Sequence, residues 1–362
     1  MESNKIDESS NAKSCSKFDI SLNNHQNVEK IDKRGKGKTK GGVGSDSPGK
    51  SIATSRNSLT PRIRRTDRDY TTMLPIDEVF RKRWHVEGII GKGGYGEIYL
   101  AIDMKRTEEV AIKVLVKMQG KPHVPLVFAS GHTDKINFFV MQLLSINLGE
   151  LRRSSPVRKL SKSTTGRILI QAIAALRDLH DVGYIHRDVK AANMCFGITP
   201  KNRHVLMLVD FGLIRRYKCE NGEWREQRSH AGFRGTHRYV SVRVHSRMEQ
   251  TPSDDIVSLL YTGYELMIGD LPWKNMEKSE DIRKLKEAMQ HRNTNYFATS
   301  ELSEFAKAVF SLDFTVDPPY KQLQNSLKSL IGSKKLNDLY DWEEEYKEAI
   351  EESHESDHDS GK

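Results

Sequence analysis

His186-Arg187-Asp188-Val189-Lys190-Ala191-Ala192-Asn193, with Asp210-Phe211-Gly212 after it, is the stretch on which the reading of this chain turns. It sets out a carboxylate, a cation two residues on, a side-chain amide, and a second carboxylate. Asp188 is placed to accept a proton from a hydroxyl, and Lys190 to sit against a negatively charged group in transfer. Asn193 and Asp210 offer the hard oxygen ligands that Mg²⁺ prefers. Taken singly these are a turn aspartate, a surface lysine and a capping asparagine. Taken with the segments on either side, coincidence is negligible.

Upstream lies Gly91-Lys92-Gly93-Gly94-Tyr95-Gly96. The spacing of Gly91, Gly93 and Gly96 alone is weak, because dinucleotide-binding turns share it, but there it opens a helix. Here the apolar runs His85–Ile90 and Glu97–Ile102 predict a strand on each side, so the glycines sit at a hairpin. In that setting the backbone can approach phosphates and offer amide donors without side-chain obstruction. Val110-Ala111-Ile112-Lys113 then puts a lone lysine on an apolar strand, where it needs a counter-charge such as nucleotide phosphate. Two more strands are expected at Val124–Ser130 and Asn137–Leu144, and another at His204–Val209, ahead of Asp210.

Beyond Leu144 the pattern turns helical. Thr165–His180 places Leu169, Ala172, Ile173, Leu176 and Leu179 on one face. Residues 254–268 are apolar almost all round, as a helix buried within a domain is. Amphipathic stretches follow at 278–291, 301–312 and 319–331. The expected fold class is α+β, with a small sheet-rich lobe, a larger helical lobe and a cleft between them.

Composition sets outer limits. The chain has 362 residues, 36% hydrophobic and 30% charged, with no apolar run of membrane-spanning length. The N-terminal MESNKIDESSNAKSC lacks the apolar core of a signal peptide. Cys15, Cys195 and Cys219 are scattered, without disulfide or metal-ligand spacing, so a reducing compartment, cytosolic or nuclear, is expected. Residues 1 to about 75 read as a disordered arm, in which residues 1–70 hold 15 Lys/Arg against 9 Asp/Glu. Residues 343–362 read as an acidic tail that frays from a short helix at most. The run Lys33–Lys40 is basic but has no interleaved aromatics, so nucleic-acid binding is a minor reading beside a flexible linker.

The glycine hairpin, the strand lysine, His186–Asn193 and Asp210–Gly212 stand in the order and spacing of the protein kinase signature. Residues 84–342 resemble the casein kinase 1 superfamily of Ser/Thr kinases, and within it the tau-tubulin kinase branch. The resemblance is carried by GKGGYGEIYLA at the hairpin, VMQLL at 140–144, LRRSS at 151–155, AGFRGTHRYVSVRVH at 231–245, DDIVSLLYTGYELMIGDLPW at 254–273 and DWE at 341–343. It implies a bilobal fold, an N-lobe over 84–143 and a C-lobe over 144–342. It also implies transfer of the γ-phosphoryl of Mg·ATP to Ser or Thr hydroxyls of proteins; separately, a monomer without a membrane partner is expected. Gly91, Gly93, Gly94, Tyr95, Gly96, Ile98, Ala111, Lys113, Met141, Gln142 and Leu144 would surround ATP, with Met141 guarding the adenine pocket and the backbones of Gln142 and Leu144 bonding the base. Asp188, Lys190, Lys113 and Asn193 would be catalytic, and Asn193 and Asp210 would hold the metal. Thr236 would link the activation segment to Asp188, and Asp255 would brace the catalytic loop. Arg228 matches an anion-site position, which implies acidic or pre-phosphorylated substrates.

One departure stands out. In kinases a glutamate on a helix after the strand lysine holds that lysine. Here only 28 residues separate Lys113 from Met141, and Val114–His123 retains just the end of that helix. Asp134 is the sole acidic residue between Val114 and Gly149. Lys113 is therefore expected to orient on phosphate alone, and Ile112, Val114 and Phe139 to lose their apolar cover. The block is either spliced out or missing from the reading frame, or the chain is an impaired kinase or scaffold. The intact Asp188, Asn193 and Asp210 favour the former.

Overall fold

The computed structural model describes residues 59, 61, 72–93, 96–104, 108–113, 121–132, 137–291 and 301–343, and gives no side-chain surroundings at 93, 96, 108–113, 132, 137, 139 and 291. All described residues fall within one unit, Ser55–Lys362. Most of the basic arm and nearly all of the acidic tail thus lie outside the described residues, as do Gly94 and Tyr95.

Alternating apolar residues make the N-lobe a six-stranded sheet: β1 (Val79–Phe80), β2 (Trp84–Gly93), β3 (Gly96–Asp103), β4 (Glu108–Lys113), β5 (Val127–His132) and β6 (Asn137–Gln142). The strand order is β1-β2-β3-β4-β6-β5, antiparallel throughout. One face buries Leu74, Trp84, Val86, Ile89, Tyr99, Ala101, Phe138 and Val140 together. Leu74 belongs to the stretch expected to be arm. It is held because the Met73 amide donates to Glu97 Oε2 at 2.8 Å and the Leu74 amide to the Tyr99 hydroxyl at 3.0 Å. A segment this short shows no periodicity, so the sequence could not reveal its role. Strand β5 starts at Val127 and not at Val124, because Pro125 has no amide to give a ladder. The run expected as one strand to Leu144 breaks at Leu143, and Leu144 opens β7 (Leu144–Asn147), which pairs with the other lobe.

Among the described residues no helix lies between β4 and β5. Residues 114–120, where the helix remnant is expected, are outside them. Lys121–Leu126 form irregular chain tied to the C-lobe, where the Leu208 amide donates to the His123 carbonyl at 2.9 Å. His123 Nδ1 donates to the Leu206 carbonyl at 2.7 Å.

The C-lobe comprises α1 (Leu148–Ser154), α2 (Lys162–Asp181), β8 (Tyr184–Ile185), β9 (Met194–Gly197), β10 (Leu206–Leu208), β11 (Arg215–Arg216), α3 (Val242–His245), α4 (Pro252–Ile268), α5 (Ser279–His291), α6 (Ser303–Phe310), α7 (Tyr320–Asn325) and α8 (Lys328–Ile331). The predicted face of α2, Leu169 to Leu179, is buried against α4, and every residue from Pro252 to Leu266 is buried. Each such aliphatic side chain contributes about 1.5–3 kcal/mol by leaving water. Helix α4 starts at a Thr251/Asp254 capping box with Pro252 in its first turn, and ends at Gly269 with φ 100°. Ser161 caps α2 and is itself clamped by Asp341, which accepts from the Ser161 amide and hydroxyl and from Thr164. The stretch expected as one helix over 319–331 is two short ones, interrupted at Ser326–Leu327. The two lobes make a bilobal α+β kinase fold.

Candidate active site

The turn after β8 carries the first functional group. Asp188 is nine-tenths buried, and its carboxylate collects three donors. Thr236 Oγ1 donates to Oδ1 at 2.7 Å, Lys190 Nζ to Oδ2 at 2.7 Å, and Asn193 Nδ2 to Oδ2 at 3.2 Å. Asn193 Nδ2 also donates to the Asp188 carbonyl at 2.8 Å, and Lys190 Nζ reaches Thr236 Oγ1 at 3.0 Å. The carboxylate is thus fixed in orientation by groups from its own loop and from the segment around Thr236. Asp210 opens the short 3₁₀ turn Phe211–Leu213 and sits in left-handed backbone, φ 64°. Such conformations gather at working sites, where the surrounding structure holds them against their cost.

Behind this loop stands Asp255, in the first turn of α4. Its Oδ2 accepts from the His186 amide at 2.7 Å and from His180 Nε2 at 3.0 Å, and its Oδ1 from the Arg187 amide at 2.8 Å. Burial alone would raise the pKa of Asp255; the bond from His180, the nearby histidines and the backbone amides hold it below the usual carboxylate range. His186 donates from Nε2 to the Val209 carbonyl at 3.2 Å and accepts the Asp188 amide at Nδ1, 3.3 Å away. Burial lowers its pKa and keeps it neutral, despite Asp255 and Asp188 nearby. Arg187, at φ 68°, donates to the Leu213 carbonyl at 2.5 Å. Burial first, then Arg215, lower its pKa to about 10. Gly235 has φ 108° and touches this loop so closely that a Cβ there would lie 2.5 Å from the Arg187 carbonyl oxygen.

The expected nucleotide residues fall into place only in part. Ile98, Met141 and Leu144 share one apolar cluster with Leu100, Leu143, Cys195 and Met207, flanked by Ile90 and Val209. That cluster joins the sheet to the C-lobe. Ala111 pairs with Leu100 and Met141, and Lys113 with Ile98 and Phe139, by backbone register; their side chains are outside the described residues. Gly93 pairs with Gly96 across the hairpin, and a Cβ at Gly91 would press on Ile98 at 3.3 Å. The Gln142 amide is taken by the Leu126 carbonyl at 2.8 Å, and Leu144 pairs with Gly197. Arg228 is closed in a two-pronged bond to Glu249, at 2.5 and 3.1 Å, and Arg215 holds the same carboxylate at 3.0 Å. The structure places Arg228 in an ion pair with Glu249 while leaving its side chain 47% exposed. Residues that sequence reasoning missed are Ile90, Cys195 and Val209. Their signals are their places: the end of a strand before the glycines, two residues after Asn193, and just before Asp210.

The donor set suits the groups the motif implies. With its NH₂ committed to Asp188, Asn193 has its amide oxygen left to offer, and Asp210 adds a carboxylate; both are hard oxygen ligands of the type Mg²⁺ takes. The apolar cluster, where the sheet meets the C-lobe, is of the kind that lines the site of a flat base.

Comparison with known proteins agrees with this geometry. The protein kinase domain family matches residues 122–342. A Caenorhabditis elegans protein named as a casein kinase I is 47% identical over 295 residues, covering 75% of this chain and 86% of the relative. Those 295 positions exceed three-quarters of 362, so the relative has residues with no counterpart here. A Dictyostelium discoideum protein named as a serine/threonine-protein kinase is 34% identical over 283 residues, 73% of this chain and 57% of its own length. The C. elegans serine/threonine-protein kinase spe-6 is 30% identical over 287 residues, 72% of this chain and 76% of its own. A family match over more than half the chain, on a fold with this catalytic loop, makes the chain a protein serine/threonine kinase of the casein kinase 1 superfamily.

Proposed function

We propose that the chain transfers the γ-phosphoryl of Mg·ATP to Ser or Thr hydroxyls of protein substrates. The observation that carries this is the Asp188 carboxylate, held by Thr236, Lys190 and Asn193. So fixed, Asp188 accepts the proton of the attacking hydroxyl, while Lys190 sets positive charge beside it. Asn193 and Asp210 would hold the metal, and the glycine hairpin would cover the phosphates. The Gln142 amide is committed to Leu126 and Leu144 is paired with Gly197, so the base would bond this segment only at backbone groups those pairings leave open. Mg·ATP, when bound, supplies the transferred group and the cation that neutralises it. Acidic or phosphorylated substrates would meet Arg228 on its exposed side, where Glu249 already engages part of its guanidinium.

A second reading, a chain that binds nucleotide weakly and transfers poorly, is favoured by one observation. Among the described residues no helix lies between Lys113 and Val127, and relatives carry residues that this chain lacks. The deciding experiment measures γ-phosphate transfer to casein by this chain, by its Asp188→Asn variant, and by a form with a family-typical helix inserted after Val114. Transfer by the chain, abolished in Asp188→Asn, supports the first reading. Transfer by the lengthened form alone supports the second. Equal transfer by parent and Asp188→Asn would sink the role given to Asp188.

A further inference from the structure

The inference concerns a buried cation that the site described above does not use. Lys286, on the inner face of α5, is only 1% exposed. Its Nζ donates to the His237 carbonyl at 2.9 Å and the Val240 carbonyl at 2.7 Å, and reaches His245 Nε2 at 3.3 Å. Two ring faces close the cage, Tyr261 at 4.9 Å and Trp273 at 5.0 Å. Burial pushes the Lys286 pKa well below the usual lysine range. An amine in this position is costly. A methionine of similar shape would fill the same space without the desolvation cost. What an amine adds is direction, since it grips two carbonyls three residues apart.

Those carbonyls belong to the segment that begins at Thr236, the residue bonded to Asp188. The segment is held from beneath along its whole length. Trp273 Nε1 donates to the Arg238 carbonyl at 2.8 Å, and Arg238 and Tyr239 both reach Glu265, at 3.0 and 2.6 Å. Its outer side is open, for His237 is exposed and stacks on Phe233 with centroids 4.0 Å apart. A second tie runs through Ser279, the first residue of α5. Its Oγ lies 3.0 Å from His245 Nδ1 and 2.9 Å from His237 Nδ1. With Lys286 donating to His245 Nε2, His245 carries its proton on Nδ1 and donates to Ser279, whose hydroxyl then donates to His237. The chain Lys286, His245, Ser279, His237 so fixes both backbone and ring of one loop.

We propose that Lys286 is a positioning residue for the protein substrate: from beneath, with Ser279 as its second tie, it fixes segment 236–240 as the ledge on which a substrate chain lies beside Asp188. This rests on the protein-kinase reading above. Lys286 touches neither substrate nor reacting atoms and acts through the carbonyls of His237 and Val240.

The test compares the full chain with Lys286→Met and Ser279→Ala, using casein as substrate. Lys286→Met is expected to raise the KM for casein about ten-fold, with a smaller fall in kcat through Thr236 and no change in the KM for ATP, since a small misplacement of a positioning element has effects of at least this order. Amide exchange over 237–241 should quicken by a similar factor, with α4 still protected. An unchanged casein KM in a folded Lys286→Met protein overturns the proposal, even if exchange is faster. Should Lys286→Met fail to fold, Ser279→Ala decides: a casein KM raised several-fold supports the proposal, and parental values overturn it. A parent that transfers no phosphoryl refutes the kinase reading separately. The dissociation constant for casein then replaces KM, with the same two outcomes.

Discussion

Asp255→Asn is the substitution with the most to say about how the catalytic loop is held. The parent carboxylate is 3% exposed and accepts three hydrogen bonds, two of them from the consecutive amides of His186 and Arg187. An asparagine has one acceptor oxygen in place of two. Its better orientation puts that oxygen where Oδ2 stood, keeping the bonds from the His186 amide and His180, and turns the NH₂ toward the Arg187 amide. That leaves one buried N–H facing another donor, at about 1–3 kcal/mol. The surviving bonds also lose the charge that made them roughly twice as strong as neutral ones. Together the loss is about 3–5 kcal/mol, the scale seen when one partner is removed from a buried charged network. At about 2–4 °C per kcal/mol for a domain of this size, the Tm should fall by about 10 °C. The assay is thermal unfolding together with amide exchange, and exchange should quicken more at Arg187 than at His186. A Tm within about 2 °C of the parent, with Arg187 still protected, would refute the bracing role.

Two further outcomes are expected. His245 is depressed to about 3 by burial, then by Lys286 and His237, and burial lowers His186 as well. Both groups stay neutral when folded but take up protons near pH 6.5 when unfolded, so their stability is present above that pH and is lost as pH falls toward the folded values. Between pH 7 and 5 His245 should cost about 2 kcal/mol, with His186 adding to the loss, and His245→Gln should reduce the fall in Tm; a Tm flat across that range contradicts the assignment. Gly235→Ala would place a Cβ 2.5 Å from the Arg187 carbonyl oxygen and 2.8 Å from Val240 Cγ1, at φ 108°. It should cost about 2–4 kcal/mol and abolish transfer to casein, and parental stability and activity together would show that the loop contact is not needed.

The sequence was most legible where spacing and chemistry coincide. His186–Asn193 with Asp210–Gly212 led to a site in which Asp188, Lys190, Asn193 and Thr236 do meet. The face of α2 followed from its period, because that helix packs one stripe against α4. Legibility failed where tertiary contact outweighs local pattern. Leu74 is buried by amides bonding to Glu97 and Tyr99, residues more than twenty positions away. Glu249 carries no motif, yet it decides what Arg228 can do. Lys286 reads as one more lysine on an amphipathic helix, and only the fold shows that its amine points inward at two carbonyls.

The shortness of the stretch between Lys113 and Met141 divides the molecule's functions in a way that its hydrogen bonds make explicit. Among the described residues every donor to Asp188 comes from the C-lobe, and Asp255 braces that loop from α4, so this described network does not draw on an element between β4 and β5. The chain that follows the gap is also anchored independently, because His123 bonds to both Leu206 and Leu208. The lobes therefore stay joined through His123 and through the apolar cluster around Met141, Leu144 and Cys195. If the short stretch after Lys113 lacks the glutamate that holds this lysine in kinases, what weakens is part of the hold on nucleotide phosphates. Loss should consequently fall on ATP affinity and orientation, while the ordered catalytic loop and the 236–240 ledge persist. A chain so built can retain its grip on a protein substrate even where transfer is slow.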